Sequence, residues 1–301
     1  MMDSASLVVY INGEYVPQAE AKISIFDFGF LRGDAVFDTM SAWKGSIFKL
    51  DAHIRRLYNS LRVVRIPISL TPEELKRAII ETTRRCGLHD AYIQCIVTRG
   101  LPPAGERDLL RCTPTVIIFA IPYVWILSPE KIQQGARVKI ASTRSIPPQC
   151  LDPRIKSLDR LHFDLAILEA KAAGMDETIM LDVHGHVTEG PGFNVFLVKG
   201  GTIYTPPEGI LQGITRQTVF EIAAEQGIET QVTPLTAYDL FAGDEVFLSS
   251  TAGGIMPVVE IDGRSIGDGK PGPISRKIHA AYWKMRESGR HSTPVFSPAE
   301  A

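Results

Sequence analysis

Residues 187–196 read VTEGPGFNVF and place one carboxylate, Glu189, among glycines and apolar β-forming residues. The pattern predicts a β-hairpin within a sheet. A carboxylate without a partner in such surroundings is costly, because burial disfavours the charged form. Glu189 is therefore a candidate functional residue, although an ordinary turn residue fits the same pattern.

The elements on either side of this stretch predict an α+β fold. Asn12-Gly13 and Lys44-Gly45 are typical hairpin turns between β-forming residues. Strands and helices are partly segregated rather than strictly alternating, which favours two lobes over a doubly wound sheet. No GxGxxG motif follows a predicted strand, so the sequence does not support a dinucleotide-binding fold.

The predicted lobes are unequal in size. Residues 1–127 form a small N-terminal α/β lobe, residues 128–135 a connector, and residues 136–301 a larger C-terminal lobe. The tail from about Glu287 is polar and contains prolines, so we expect it to be poorly ordered.

The composition is typical of a globular protein. The 301 residues carry a net charge of −2, which gives no reason to expect nucleic-acid binding. The sequence has neither a signal-peptide pattern nor a run of about 18 apolar residues, so we expect no membrane association. The four cysteines form no CxxC pair and accompany no histidine cluster. They predict reduced thiols in a cytoplasmic protein without a metal site.

A second stretch, DPRIKSLDRL at residues 152–161, contains a candidate nucleophile. Lys156 lies between Arg154 and Arg160, ahead of a mostly apolar predicted helix. A lysine whose pKa is lowered by burial or by nearby cations can form a Schiff base with a carbonyl cofactor. Taken alone, a lysine near a helix start is usually solvated.

Pyridoxal phosphate (PLP) is a carbonyl cofactor that also needs a carboxylate near its pyridine nitrogen and an anion site for its phosphate. Glu189 supplies the carboxylate. LQGITRQTVF, at residues 211–220, is a loop that enters a helix, where backbone N–H groups lack helical partners. SSTAGG, at residues 249–254, adds three hydroxyls. Each feature alone is also compatible with an ordinary helix start or tight turn.

Four of these stretches, taken in order, resemble the successive motifs of one family. IKSLDRL, VTEGPGFNVF, LQGITR and SSTAGGIMPV are similar to those of the fold-type IV PLP-dependent aminotransferases. The resemblance covers nearly the whole chain. It implies PLP as the cofactor, bound between a small N-terminal and a larger C-terminal lobe, and a homodimer.

The resemblance also implies roles for individual residues. Lys156 matches the lysine that holds the cofactor as a Schiff base and then moves the substrate proton. Glu189 matches the carboxylate that pairs with the pyridine nitrogen. The other implied cofactor contacts are Arg56, Ile214, Thr215 and Thr251 to the phosphate, and Phe193 and Leu211 to the ring.

On the substrate side, the wording of AYIQCIVTRG, PYVWILSPEK and TAGGIMPV is most similar to that of (R)-selective amine transaminases. Arg107 is the candidate for a mobile arginine that binds a substrate carboxylate, with Arg111 as an alternative and a solvated surface arginine as the ordinary interpretation. Arg32, Phe37 and Ala252 are the other predicted substrate-binding residues.

Three positions depart from the amine-transaminase pattern. Arg32 stands where a histidine is usual, Phe37 where a tyrosine is usual, and Gln94 where a glutamate is usual. Arg32 is either a second carboxylate ligand or an outer residue. Phe37 makes its wall of the pocket more apolar, because it lacks the hydroxyl.

Three functional hypotheses follow. The first is a transaminase that moves an amino group from an (R)-amine or a D-amino acid to a keto acid such as pyruvate. The second is a branched-chain L-amino acid aminotransferase that uses 2-oxoglutarate. The third is a PLP lyase similar to aminodeoxychorismate lyase, or a PLP binder without turnover.

Overall fold

A computed structural model describes residues 7–296, which form two compact units. Within the described residues, the first unit comprises 7–124, 155–159 and 286–296, and the second comprises 125–154 and 160–285. Both units contain sheets and helices, which confirms the predicted α+β class.

The strands, in chain order, are β1 (Val8–Ile11), β2 (Glu14–Pro17), β3 (Ala35–Trp43), β4 (Ser46–Phe48), β5 (Ala91–Leu101), β6 (Thr113–Pro122), β7 (Ala136–Ile140), β8 (Glu177–Ile179), β9 (Glu189–Gly190), β10 (Phe193–Lys199), β11 (Thr202–Thr205), β12 (Thr230–Val232), β13 (Glu245–Ser250), β14 (Gly254–Ile261), β15 (Arg264–Ser265) and β16 (Ser292–Pro294). The α-helices are α1 (Phe28–Arg32), α2 (Leu50–Val64), α3 (Pro72–Arg85), α4 (Pro129–Gln134), α5 (Leu161–Ala172), α6 (Ile214–Glu225), α7 (Ala237–Phe241) and α8 (Pro273–Glu287).

The sheet of the first unit has the strand order β16-β4-β3-β5-β6-β1-β2 in the described residues. The β1–β2 turn confirms the predicted Asn12-Gly13 hairpin, because both residues have positive φ angles, 50° and 104°. Helices α2 and α3 pack their apolar faces on this sheet, burying Leu57 and Ile79 among the core side chains. Burial of each such side chain contributes about 1.5–3 kcal/mol.

The second unit contains a mixed sheet, with the order β12-β11-β10-β13-β14-β7-β8 and with β9 paired to β10. The central strands β10 and β13 are antiparallel, and Asn194 lies opposite Ser249 in their register. Their side chains are buried on both faces, since α6 contacts β13 on one face and an apolar cluster fills the other. The cluster includes Val195 and Leu248. This packing holds β10, the strand that carries Asn194, in place.

The units differ from the predicted lobes at two places. The predicted connector, residues 128–135, contains α4 and belongs to the second unit, with Ser128 capping the helix. Residues 155–159 belong to the first unit, where Phe37 N–H donates to the Lys156 carbonyl at 2.8 Å and Leu158 N–H to the Ala35 carbonyl at 3.0 Å. The physical reason is that β4 pairs only with the C-terminal end of β3. Residues 155–159 therefore satisfy the backbone groups at the N-terminal end of β3.

The predicted disorder of the tail is wrong for residues 288–296. Helix α8 continues to Glu287, and β16 then pairs antiparallel with β4. The Phe296 ring stacks on His89 with 4.4 Å between the ring centroids. A polar, proline-containing segment is ordered here because it completes the edge of a sheet. Residues 297–301 lie outside the described residues.

Candidate active site

Lys156 lies against β3 and α2 in the first unit. Its Nζ is 4.5 Å from the centroid of the Phe37 ring, a distance at which an aromatic face attracts an ammonium group. The backbone N–H of Lys156 is 3.3 Å from the Ser60 Oγ, to which it donates. The lysine is half-buried and its backbone is fixed at both its N–H and its carbonyl, so its position is not that of an ordinary solvated lysine.

A buried ionic cluster lies beside this lysine segment. The Arg56 guanidinium donates to both oxygens of Asp38, from Nε and from Nη2, each at 2.8 Å. His53 Nδ1 lies 2.7 Å from the Asp38 Oδ1. Because His53, Arg56 and Ser60 are three and four positions apart, they share one face of α2. That face therefore carries a line of polar groups towards β3.

The charges of the cluster are set by mutual contact. Burial alone would raise the pKa of Asp38, but Arg56 and His53 outweigh it and hold that pKa below its usual range. Burial lowers the pKa of His53, with the positive charges of Arg56 and Lys156 adding to the effect against the opposing Asp38. At neutral pH, Asp38 is therefore ionised and His53 is neutral.

Glu189 lies on β9 in the second unit and is only 7% exposed. Its Oε2 accepts a hydrogen bond from the Leu211 backbone N–H at 3.0 Å and one from the Asn194 side-chain amide at 3.3 Å. These two hydrogen bonds fix one oxygen of the carboxylate, and they tie β9 to the loop that leads into α6.

The N-terminus of α6 follows the same loop. Gly213 precedes the helix without a side-chain cap, and Ile214 and Thr215 in the first turn are buried. A helix start of this kind presents backbone N–H groups and the positive end of the helix dipole, which suits a phosphate. Arg216 donates to the Pro206 carbonyl at 2.9 Å and so fixes the loop that leads to the helix.

The β13–β14 turn lies beside the β9–β10 loop. The Ser250 hydroxyl donates to the Gly192 carbonyl at 2.8 Å and accepts from the Ala252 N–H at 3.2 Å. Thr251 lies in this turn between them. The Phe193 ring packs so closely on Gly190 that a Cβ there would lie 2.2 Å from it. The structure thus places the predicted ring, phosphate and substrate residues of this unit in or next to loops that hydrogen-bond to β9 or to the β9–β10 loop.

The predicted substrate arginines lie on the surface of the first unit. The Arg32 guanidinium stacks over the Phe28 ring at 3.9 Å, at the end of α1. Arg107 is exposed in the segment between β5 and β6. Its alternative, Arg111, pairs with Glu106 at 2.5 Å. Their roles towards a substrate stay predictions.

Several residues of the site were not predicted from the sequence: Asp38, His53, Ser60, Asn194 and Arg216. A signal existed for some of them. His53 and Ser60 interrupt the apolar face of α2, and Asn194 interrupts an otherwise apolar strand. A buried polar side chain needs a partner, so these interruptions point to a network.

Within residues 7–296, none of the helices is long and apolar enough to cross a membrane. The same range contains no group of three or more His, Cys, Asp or Glu side chains arranged to hold a metal ion.

Comparison with known sequences matches residues 35–261 to the family described as amino-transferase class IV. The chain is 43% identical to a Methanocaldococcus jannaschii protein that is provisionally named a branched-chain-amino-acid aminotransferase, over 92% of this chain and 96% of that protein. It is 33% identical to the branched-chain-amino-acid aminotransferase of Escherichia coli K12, over 92% of each.

Solved structures give a similar result. The T.th. branched-chain amino acid aminotransferase with pyridoxamine 5′-phosphate has a TM-score of 0.90 and 34% identity, over 97% of this chain and 99% of that chain. The branched-chain aminotransferase of Thermoproteus uzoniensis with norvaline has a TM-score of 0.90 and 34% identity, over 97% of this chain and 100% of that chain.

Proposed function

Because the chain belongs to the class IV aminotransferases, which are PLP-dependent enzymes of fold type IV, we propose that it transfers the amino group of branched-chain L-amino acids to 2-oxoglutarate. The observation that carries the proposal is the match of nearly the whole chain to proteins named for that activity. The comparisons support this second hypothesis better than the (R)-amine or D-amino acid hypothesis. The latter rested on the resemblance of the substrate segments to those of (R)-selective amine transaminases.

The described residues fit PLP on their own geometry. Glu189 is a buried carboxylate fixed by two N–H donors, which suits a partner for a protonated pyridine nitrogen. Helix α6 begins at a glycine without a side-chain cap, which suits a phosphate. Lys156 is a half-buried lysine with a fixed backbone, which suits covalent attachment.

Each of these residues has a proposed task. Bound PLP supplies an electron sink for the substrate α-carbon. Lys156 would hold the cofactor covalently and, once displaced by the substrate amine, would carry the proton from the substrate α-carbon to the C4′ carbon of the cofactor. Glu189 keeps a proton on the pyridine nitrogen. Arg56, Ile214, Thr215 and Thr251 hold the phosphate, and Phe193 and Leu211 pack on the ring.

An apolar wall near Lys156 supports an aliphatic substrate. Phe37 is 4% exposed and places its ring at the lysine ammonium without offering a hydroxyl. Such a surface favours contact with an apolar side chain over a polar one. Ala252, buried in the β13–β14 turn, is the proposed substrate contact in the second unit.

We also propose Arg107 as the residue that binds the carboxylate of the keto acid, with Arg32 as the second candidate. Arg107→Ala should slow the reaction with 2-oxoglutarate about tenfold more than the reaction with L-leucine, because only the former carries a second carboxylate. Arg111→Ala is the matched comparison, since Arg111 is the alternative candidate but pairs with Glu106. A selective loss in Arg111→Ala instead would move the role to Arg111. Equal losses in both half-reactions of Arg107→Ala would contradict this role.

A homodimer is proposed from the distribution of exposed apolar groups. Around α1, the side chains of Ile25, Phe26, Phe30 and Leu31 are all exposed. Leu161, Leu165 and Leu168 are exposed along α5. Apolar patches of this kind mark interaction surfaces. Light scattering of the purified protein tests the assembly.

A cytoplasmic location is also proposed. The cysteines are all free thiols, which is consistent with that location.

The activity is tested by single half-reactions. The purified PLP form is mixed separately with L-leucine, D-alanine and (R)-1-phenylethylamine, and the visible absorption of the lysine-bound cofactor is followed. L-Leucine should convert the cofactor to its amine form, and 2-oxoglutarate should restore it. Conversion by D-alanine or the (R)-amine alone would refute the proposal. Lys156→Ala should lack the starting absorption band.

A further inference from the structure

Asn194 joins parts of the second unit that are separate in sequence. It is 3% exposed on β10 and lies directly opposite Glu189 of β9 in the strand register. Its amide nitrogen donates to Glu189 Oε2 at 3.3 Å and to the Leu211 carbonyl at 2.9 Å. Both partners are acceptors, so the orientation of the amide is fixed with its nitrogen towards them.

The amide oxygen of Asn194 faces the opposite way, towards the start of α6. A Cβ built on Gly213 would lie 2.0 Å from this oxygen. Gly213 has φ −64° and ψ 136°, angles that any L-residue adopts. The glycine is therefore required for close approach to Asn194 rather than for its backbone conformation. Gly213 immediately precedes Ile214 and Thr215, the proposed phosphate ligands.

We propose that Asn194 is a positioning residue that fixes the spacing between Glu189 and the N-terminus of α6. The inference rests on the proposed function, because it assigns Glu189 to the pyridine nitrogen and α6 to the phosphate of one rigid cofactor. A ring and its phosphate have a set separation, so the two sites bind together only if their spacing matches. Asn194 links the two sites through one side chain, which donates to Glu189 on one side and packs against Gly213 on the other.

Two variants separate the two halves of this link. Asn194→Ala removes both the donor and the packing against Gly213. Asn194→Asp keeps the shape against Gly213 but replaces the donor with an acceptor beside the Glu189 carboxylate. Asn194→Ala should weaken PLP binding about tenfold or more, the effect of losing a hydrogen bond to a charged group. It should weaken the binding of pyridoxal, which lacks the phosphate, by a smaller factor.

Asn194→Asp should weaken the binding of PLP and of pyridoxal by the same factor, about tenfold or more. The reason is that it disturbs Glu189 and leaves helix α6 in place. Both affinities are read by titrating the protein freed of cofactor and following visible absorption. Equal losses for the two ligands in Asn194→Ala would overturn the link to α6. No loss in Asn194→Asp would overturn the link to Glu189.

A double-mutant cycle tests the packing contact without any cofactor. Gly213→Ala should lower the melting temperature of the cofactor-free wild type and of Asn194→Asp. It should cost much less in Asn194→Ala, which removes the atom at 2.0 Å and leaves the Arg216 Cβ, at 3.3 Å, as the next neighbour outside Asn194. Gly243→Ala is the control, because its Cβ would meet Leu197 instead, at 2.2 Å, and should cost the same in every background.

An equal cost of Gly213→Ala in the wild-type and Asn194→Ala backgrounds would overturn the proposal. This outcome is distinguishable from a failure of the proposed function. If the wild type binds no PLP, or if its absorption band survives Lys156→Ala, the assignment of the cofactor site fails, whereas the cofactor-free cycle still reports on the contact.

Discussion

Replacing Asp38 by asparagine should destabilise the protein strongly, because it removes the counter-ion of a buried arginine. Asp38 is fully buried, and the Arg56 side chain is only 13% exposed while donating two hydrogen bonds to it. An asparagine would accept only one of the two hydrogen bonds from Arg56. Its own N–H group would then face the other donating nitrogen of the guanidinium. Breaking a buried pair from one side costs about 3–5 kcal/mol. We expect the lower end, about 3 kcal/mol, since Arg56 retains some access to water.

The assay is urea unfolding of the cofactor-free protein, followed by circular dichroism. A loss of this size corresponds to roughly 5 °C in melting temperature for a chain of this length. The matched control is Asp51→Asn on the same helix, where Asp51 pairs with Lys76 but has a side chain that is 72% exposed. Exposed ion pairs contribute about 0–1 kcal/mol. Similar losses in the two variants would refute the buried-pair reasoning.

The pH dependence gives a second readout of the same substitution. The folded pKa of Asp38 lies below its unfolded value of about 3.9, so its contribution is complete above that value and is lost as the pH falls through the folded pKa. Asp38→Asn should therefore cost most at neutral pH and less in acid. A cost that stayed constant down to about pH 2 would show that the ionised form is not the stabilising one.

Three other substitutions test separate features. Glu177→Gln should stabilise the protein by about 2 kcal/mol at pH 8 and have little effect at pH 4.5, because burial raises the pKa of Glu177 to about 7; thermal melts at the two pH values check this. Arg99→Met should cost about 3 kcal/mol in urea unfolding, since Arg99 pairs with Asp34 and donates to two carbonyls at the end of α2; a loss below 1 kcal/mol would contradict that capping role. Glu189→Gln should retain PLP but reduce turnover with L-leucine about 100-fold or more, and wild-type turnover would contradict its assignment.

Local patterns were sufficient to predict the hairpins and the α+β class. The Asn12-Gly13 and Lys44-Gly45 turns depend on residues close in sequence, and the structure confirms both hairpins. The unit boundaries depend on pairing between distant segments. Residues 155–159 join the first unit because they hydrogen-bond to the beginning of β3, where β4 does not reach, and no local pattern of that segment predicts this pairing.

The candidate site shows the same division. Each of the four motifs on which the roles of Lys156 and Glu189 were predicted is a continuous run of residues. Its resemblance to a family motif is therefore visible in the sequence alone. Asp38 and His53 act through a contact across the first unit, between a strand and a helix. Each appears in sequence as one polar residue among apolar ones. Predicting their pairing requires the register of β3 against α2, which tertiary packing sets.

Asp38 and Glu189 are both buried carboxylates, yet they are tied to different parts of the protein. Both oxygens of Asp38 accept from the Arg56 guanidinium, so Asp38 is tied to helix α2 of the first unit. One oxygen of Glu189, Oε2, accepts from the Asn194 amide and from the Leu211 backbone N–H. Leu211 belongs to the loop that leads into α6, so Glu189 is tied to the proposed phosphate site. This placement is the reason that we propose Glu189, and not Asp38, as the carboxylate that serves the cofactor.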